Sequence, residues 1–200
     1  MKKSMIFIVL MAALMGCIRY QHRSPIPESQ KICNRMVVKL AKEAYLEDGL
    51  RCTGRSGGAI GGVNCLGISF DSFDHTTMTI DEARVLIVKW TERYGLNINQ
   101  HIKLRPFLKY FPFTAEHIEI SIGFCDRSGN RLTKESIAYV ATNWKGIRYC
   151  VEGEEDGPFK YVHLETYEEA RRIVGEKHPE LLLEFQDPSV IPTSTEPEPL

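Results

Sequence analysis

The chain has 200 residues, 43% hydrophobic and 26% charged, with 25 basic side chains against 26 acidic ones. That balance leaves no basic footprint for nucleic acid, and the composition is that of an ordinary globular protein, without repeats or a sustained heptad pattern. Once both ends are set aside, roughly 150 residues remain, enough for one domain with a real core.

Residues 1–17 read MKKSMIFIVLMAALMGC. Lys2 and Lys3 form a positive start, and Met5 to Met15 is an unbroken apolar run, shorter than the ~20 residues a membrane-spanning helix needs. This is the pattern of a secretory signal. Leu14-Met15-Gly16-Cys17 resembles the lipobox of bacterial lipoproteins, with a small residue just before the cysteine. The resemblance covers only these residues. It implies removal of residues 1–16, a palmitate-type acylation of Cys17, and attachment to the cell envelope. Ile18 rather than an acidic residue follows the cysteine, which in enteric-type sorting points to the outer membrane. Removing Lys2 and Lys3 leaves 23 basic against 26 acidic residues.

Residues 17–28 carry Pro25 and Pro27 without periodicity and read as a tether. From Ser29 to Glu47, Ile32, Cys33, Met36, Val37, Leu40, Ala41, Ala44 and Tyr45 form one apolar helical stripe, ended by Gly49. Two extended runs, about 50–56 and 63–73, flank the glycine cluster GGAIGG at 57–62, a hairpin pattern. Thr79 and Glu82 are spaced as a capping box, and the helix behind them places Ala83, Leu86, Ile87, Trp90 and Tyr94 inward, reaching about Asn99.

Pro106 and Pro112 bracket the aromatics Phe107, Tyr110, Phe111 and Phe113, where one helical turn and a loop are expected. Ile118, Ile120, Ile122 and Phe124 alternate on one face of a strand, and residues 126–130 make a turn. Strands near 135–143 and 147–152 follow, then a helix over 167–178. The alternation predicts an antiparallel sheet of about five strands with one wet face. The fold class is α+β, a two-layer sandwich in the order α-β-β-α-β-β-β-α with helices on one face. The domain is bounded at 29–178, and residues 179–200, rich in Pro, Thr and Glu towards their end, form a mostly disordered tail.

Five cysteines follow Cys17, and export permits disulfides. The side-chain alternation turns Cys52 inward against Leu66 and Cys65 outward, so a bridge across the hairpin is disfavoured. Cys33, on the core stripe of the first helix, makes the better partner for Cys52, although buried free thiols are equally ordinary. The same parity sends Cys65, Cys125 and Cys150 to the outer face with His117, Glu119 and Ser121. No CxxC-type pair is present, so no metal site is assigned.

Residues 54–58, GRSGG, resemble the segment around the nucleophile of chymotrypsin-like proteases, with Arg55 in place of the acid; the glycines alone explain the stretch. The absence of GK[ST] excludes a phosphate loop, and no cofactor is implied. The segment VNCLGISF around Cys65 resembles the nucleophile motif of cell-wall thiol peptidases of the NlpC type. Asn64 stands for its Asp and Leu66 for its Ser. The resemblance implies a Cys65 nucleophile with His75, His117 or His163 as base, while His22, His101 and His178 read as surface residues. That hydrolase is the alternative reading; the primary one is a non-enzymatic envelope module, binding or scaffolding an envelope protein or polymer. Its candidate surfaces are the glycine-rich hairpin end, with Gly57, Gly58, Gly61 and Gly62, and the aromatic patch, with Trp144 at a separate turn.

Overall fold

The computed structural model describes residues 26–73, 77–130, 132–153 and 159–182. The signal-like segment, Cys17, His22 and His75 lie outside the described residues, as does 183–200.

Helix α1 (Glu28–Asp48) buries Ile32, Met36, Val37, Leu40 and Ala44 along one stripe, with Cys33 and Ala41 half-buried at its margin. Tyr45, assigned to that stripe from spacing, is exposed. Gly49 then takes a left-handed conformation (φ 67°), and its N–H bonds back to Ala44 and Tyr45 carbonyls. Without a Cβ that conformation is nearly free of strain, so the chain reverses into the sheet.

Six strands follow: β1 (Leu50–Gly58), β2 (Cys65–Ser72), β3 (Ile118–Phe124), β4 (Ile137–Asn143), β5 (Gly146–Val151) and β6 (Lys160–Glu165). They lie side by side in chain order. Helix α2 (Ile80–Gln100) crosses between β2 and β3, and α3 (Tyr167–Lys177) closes the domain. The α+β class therefore holds, with the order α-β-β-α-β-β-β-β-α.

Two finer expectations are corrected. The sheet has six strands, β6 being the addition, and it is mixed, because β2 and β3 run parallel from Leu66↔Ile118 to Ser72↔Phe124. The long α2 crossover returns the chain to the end where β2 began, which a parallel pair requires. Only the remaining pairs are antiparallel.

Inward residues of the sheet (Leu66, Ile68, Phe70, Ile118, Ile120, Ile122, Val140, Ile147, Tyr149) join the helices in one contiguous core. Trp90 is fully buried, and its indole N–H donates to Asp48 Oδ2 at 2.8 Å, tying α2 to the last turn of α1. The capping box forms as the spacing predicts, with Thr79 and Glu82 satisfying each other. Beyond α3, Pro179–Leu181 makes a 3-10 turn, and Leu181 and Leu182 pack on the core, so packed chain continues past the boundary at 178.

Candidate functional site

Strand directions bring the C-terminal ends of β1, β4 and β6 and the N-terminal ends of β2, β3 and β5 to one end of the sheet. Both surfaces singled out in the sequence meet there. The glycine-rich turn after β1 pairs with the aromatic loop through a bridge between Val63 and Leu108. Val63 N–H donates to the Phe107 carbonyl at 2.7 Å, and Lys109 N–H donates to the Val63 carbonyl at 2.9 Å. Gly62, at φ 118°, lies so close that a Cβ would come within 3.2 Å of Phe107 O and Lys109 N. A glycine is what lets the two loops touch.

The aromatic loop is held from beneath. Asn99 at the end of α2 clasps Phe113, donating to its carbonyl at 2.9 Å and accepting from its N–H at 2.8 Å. Phe113 is buried, whereas Phe107, Tyr110 and Phe111 are exposed. The Arg105 guanidinium lies 4.7 Å from the Phe111 ring centroid, and Tyr110 stacks on His117 at 4.6 Å. Ile60, at the tip of the glycine-rich turn, is 85% exposed. Trp144, 70% exposed with Lys145 over its ring, projects from the β4–β5 turn at the same end of the sheet. Rigidly held exposed aromatics beside an adaptable turn are the features of a binding surface.

Next to this end a groove of about 360 Å³ opens between α1 and β1. Its origin is a bulge. Register passes from Cys52↔Phe70 to Gly54↔Ser69, leaving Thr53 as an extra residue. Beyond it Arg55 opposes Ile68 and Gly57 opposes Leu66. Directly opposed residues share a face, so Arg55 turns to the helix side, where both it and Gly57 line the groove. Tyr94 of α2 also lines it; the residue is 0% exposed and its hydroxyl has no hydrogen-bond partner among the described residues. Burial, reinforced by the thiols of Cys33, Cys65 and Cys52, holds that hydroxyl well above its ordinary ionisation range. A wider hollow of about 720 Å³ at the opposite end, lined by Thr77, Thr133 and Lys160, holds no unpartnered buried polar side chain among the described residues.

The cysteines are disposed otherwise than a bridge or a nucleophile requires. Cys33, Cys52, Cys65 and Cys150 are free thiols, so the Cys33–Cys52 bridge is not formed. Cys52 opposes Phe70 rather than Leu66; it is on the core-facing side of the edge strand, as the alternation predicts, but is exposed there. Cys65 faces Glu119: burial and that carboxylate push its thiol up to about 11, opposing the thiolate a nucleophile needs. His117 is committed elsewhere, its Nδ1 2.9 Å from the Thr114 hydroxyl and its ring against Tyr110. His163 pairs at 3.8 Å with Glu165 on β6. Among the described residues, no group of three His, Cys, Asp or Glu side chains is placed to hold a metal ion. His101, read as a surface residue, is half-buried with Nδ1 unpartnered, while His178 lies at the surface beside Glu180.

Sequence reasoning missed two buried polar clusters. Arg84 donates to Glu165 Oε1 at 2.8 Å, and the Tyr149 hydroxyl donates to the same oxygen, tying α2 to β5 and β6. Glu92, fully buried, accepts from the Tyr167 hydroxyl at 2.9 Å and Arg171 Nε at 2.8 Å, tying α2 to α3. An acidic residue interrupting the inner face of α2 was the available signal for the second cluster. Both act between elements and touch no cavity described above. Comparisons with protein families, with curated proteins and with solved structures find no match for this chain.

Proposed function

We propose that this chain is an exported envelope lipoprotein, anchored through lipid on Cys17, whose domain binds another envelope component and performs no chemistry of its own. The observation that supports binding is the joined end of the sheet, where the Val63–Leu108 bridge holds the Ile60 turn beside exposed Phe107, Tyr110 and Phe111. The anchor rests on the lipobox-like residues; among the described residues no helix is long and apolar enough to cross a membrane. The Cys65 hydrolase is the weaker reading, because the thiol faces a carboxylate rather than an imidazole.

Intact mass of the protein purified from envelopes tests the anchor: a chain lacking residues 1–16 and carrying acyl chains is expected. Cys17→Ser should move the protein out of the membrane fraction. A photo-crosslinker at position 60 or 110 should capture one dominant partner, and Phe111→Asp should abolish that product. Capture that is unchanged in Phe111→Asp, or equal from a probe at Lys134 near the other end of the sheet, would remove the binding surface. Cys65→Ser should leave capture unaltered.

A further inference from the structure

Four features of the α1–β1 groove specify one ligand chemistry. Its floor is apolar, made by Val37, Val63 and Leu66, and Gly57 borders it closely: a Cβ there would meet Leu66 Cδ2 at 3.5 Å and Cys65 O at 3.2 Å. Its one charged lining residue is Arg55, exposed, placed on the helix side of β1 by the bulge and without an ion pair among the described residues. Tyr94 supplies a fully buried hydroxyl with no partner among the described residues. Buried polar groups are nearly always satisfied, so an orphan lining a cavity points to a group that arrives from outside. The wall opposite α1 is β1, an edge strand with no strand on its outer side among the described residues.

From these we propose that the groove receives the C-terminus of a partner peptide ending in an apolar residue. The terminal carboxylate is held by the Arg55 guanidinium, whose paired N–H groups match it. The last side chain lies over Val37, Val63 and Leu66. A peptide carbonyl accepts from the Tyr94 hydroxyl, and the extended segment runs beside the free edge of β1, a mode that combines strand addition with carboxylate capture. A fatty acid supplies the carboxylate and the apolar chain but no second acceptor for Tyr94, so the peptide is the better fit. This inference is independent of the anchor on Cys17 and of the aromatic surface.

The test uses the purified full chain with three probes: an acetylated tripeptide ending in leucine, the same peptide as its C-terminal amide, and decanoate. Binding of the acid should shift the backbone amide signals of Cys33, Gly57 and Gly58, and the amidated peptide should bind at least tenfold more weakly. Arg55→Gln should erase that difference. Tyr94→Phe should weaken the acid several-fold with the melting temperature unchanged or raised, since the hydroxyl it removes is bonded to nothing among the described residues. Absence of shifts at millimolar peptide, or equal affinity for acid and amide in the unaltered chain, would overturn the proposal. Decanoate binding as tightly as the peptide would overturn it in favour of a free carboxylic acid.

Discussion

Gly146 shows how much can rest on a missing methyl group. At φ 120° it opens β5, and a Cβ would sit 2.3 Å from the Glu165 carbonyl oxygen on β6. That neighbour is backbone and cannot step aside. Gly146→Ala is therefore expected to cost about 2–3 kcal/mol in urea unfolding. Gly49→Ala, equally left-handed but in open space, should cost about 1 kcal/mol, the conformational penalty alone. Glu92 provides a titration at the same scale. Burial raises its carboxyl above the ordinary 4.5 despite the Arg171 and Tyr167 hydrogen bonds. The folded state then holds a proton that the unfolded chain releases. The resulting stabilisation is present below 4.5 and is lost as pH rises through the folded value. Glu92→Gln should remove this dependence, so its stability advantage over the parent at neutral pH should shrink as pH falls towards 4.5. A difference that is constant with pH would contradict a raised carboxyl. These residues were poorly legible beforehand: Gly146 reads as an ordinary turn glycine, and nothing local announces that Glu165 lies across from it.

Elements were more legible where their signals are local. The Thr79–Glu82 box, the Gly49 stop and the alternation of β3 depend on neighbours within a few residues, and all appear as read. Thr79→Ala should lower stability by about 1 kcal/mol, as loss of an N-cap does, with the helical signal falling together with the tertiary one. The misses have non-local causes. KYVHLE was passed over because a bulge at Val162, between Tyr149↔His163 and Cys150↔Tyr161, breaks its alternation. Tyr161 and Leu164 consequently share the outer face, opposite Cys150 and Arg148. The bulge in β1 has the same character. It shifted Cys52 onto Phe70 and carried Arg55 into the groove. Alternation also reveals which face a residue occupies but not which strand lies beside it, so the parallel β2–β3 pair was invisible.

At the scale of the whole fold, one core joins the helices and the sheet among the described residues, with Cys33, Cys52, Cys65 and Cys150 unbridged. Unfolded in denaturant without prior reduction, the chain should react at Cys33, Cys52, Cys65 and Cys150, and reductant should leave its melting temperature unchanged. Two residues protected from alkylation until reduction would revive the bridge weighed from the sequence. The surface at the end of the sheet was foreseeable only in halves. The glycine turn and the aromatic loop were each visible as compositional signals, but their junction is a backbone bridge between residues 63 and 108, which no spacing rule anticipates.

The parallel pair inside the sheet also bears on how the chain reaches its native state. Every antiparallel neighbour is also a neighbour in sequence, whereas Ser69 and Ser121, which hydrogen-bond across β2 and β3, are 52 residues apart. The largest loop-closure entropy in the sheet therefore falls on this one junction, between a hairpin with its helix on one side and a four-strand meander on the other. Contacts of such long range set folding speed more than final stability. Truncations at Ile68 and Ile120 then address the docking of two halves, while changes within the β4–β5 hairpin address one half alone. A chain cut in the loop after α2 would divide at the same junction, and its two fragments, mixed, would have one parallel pairing to find.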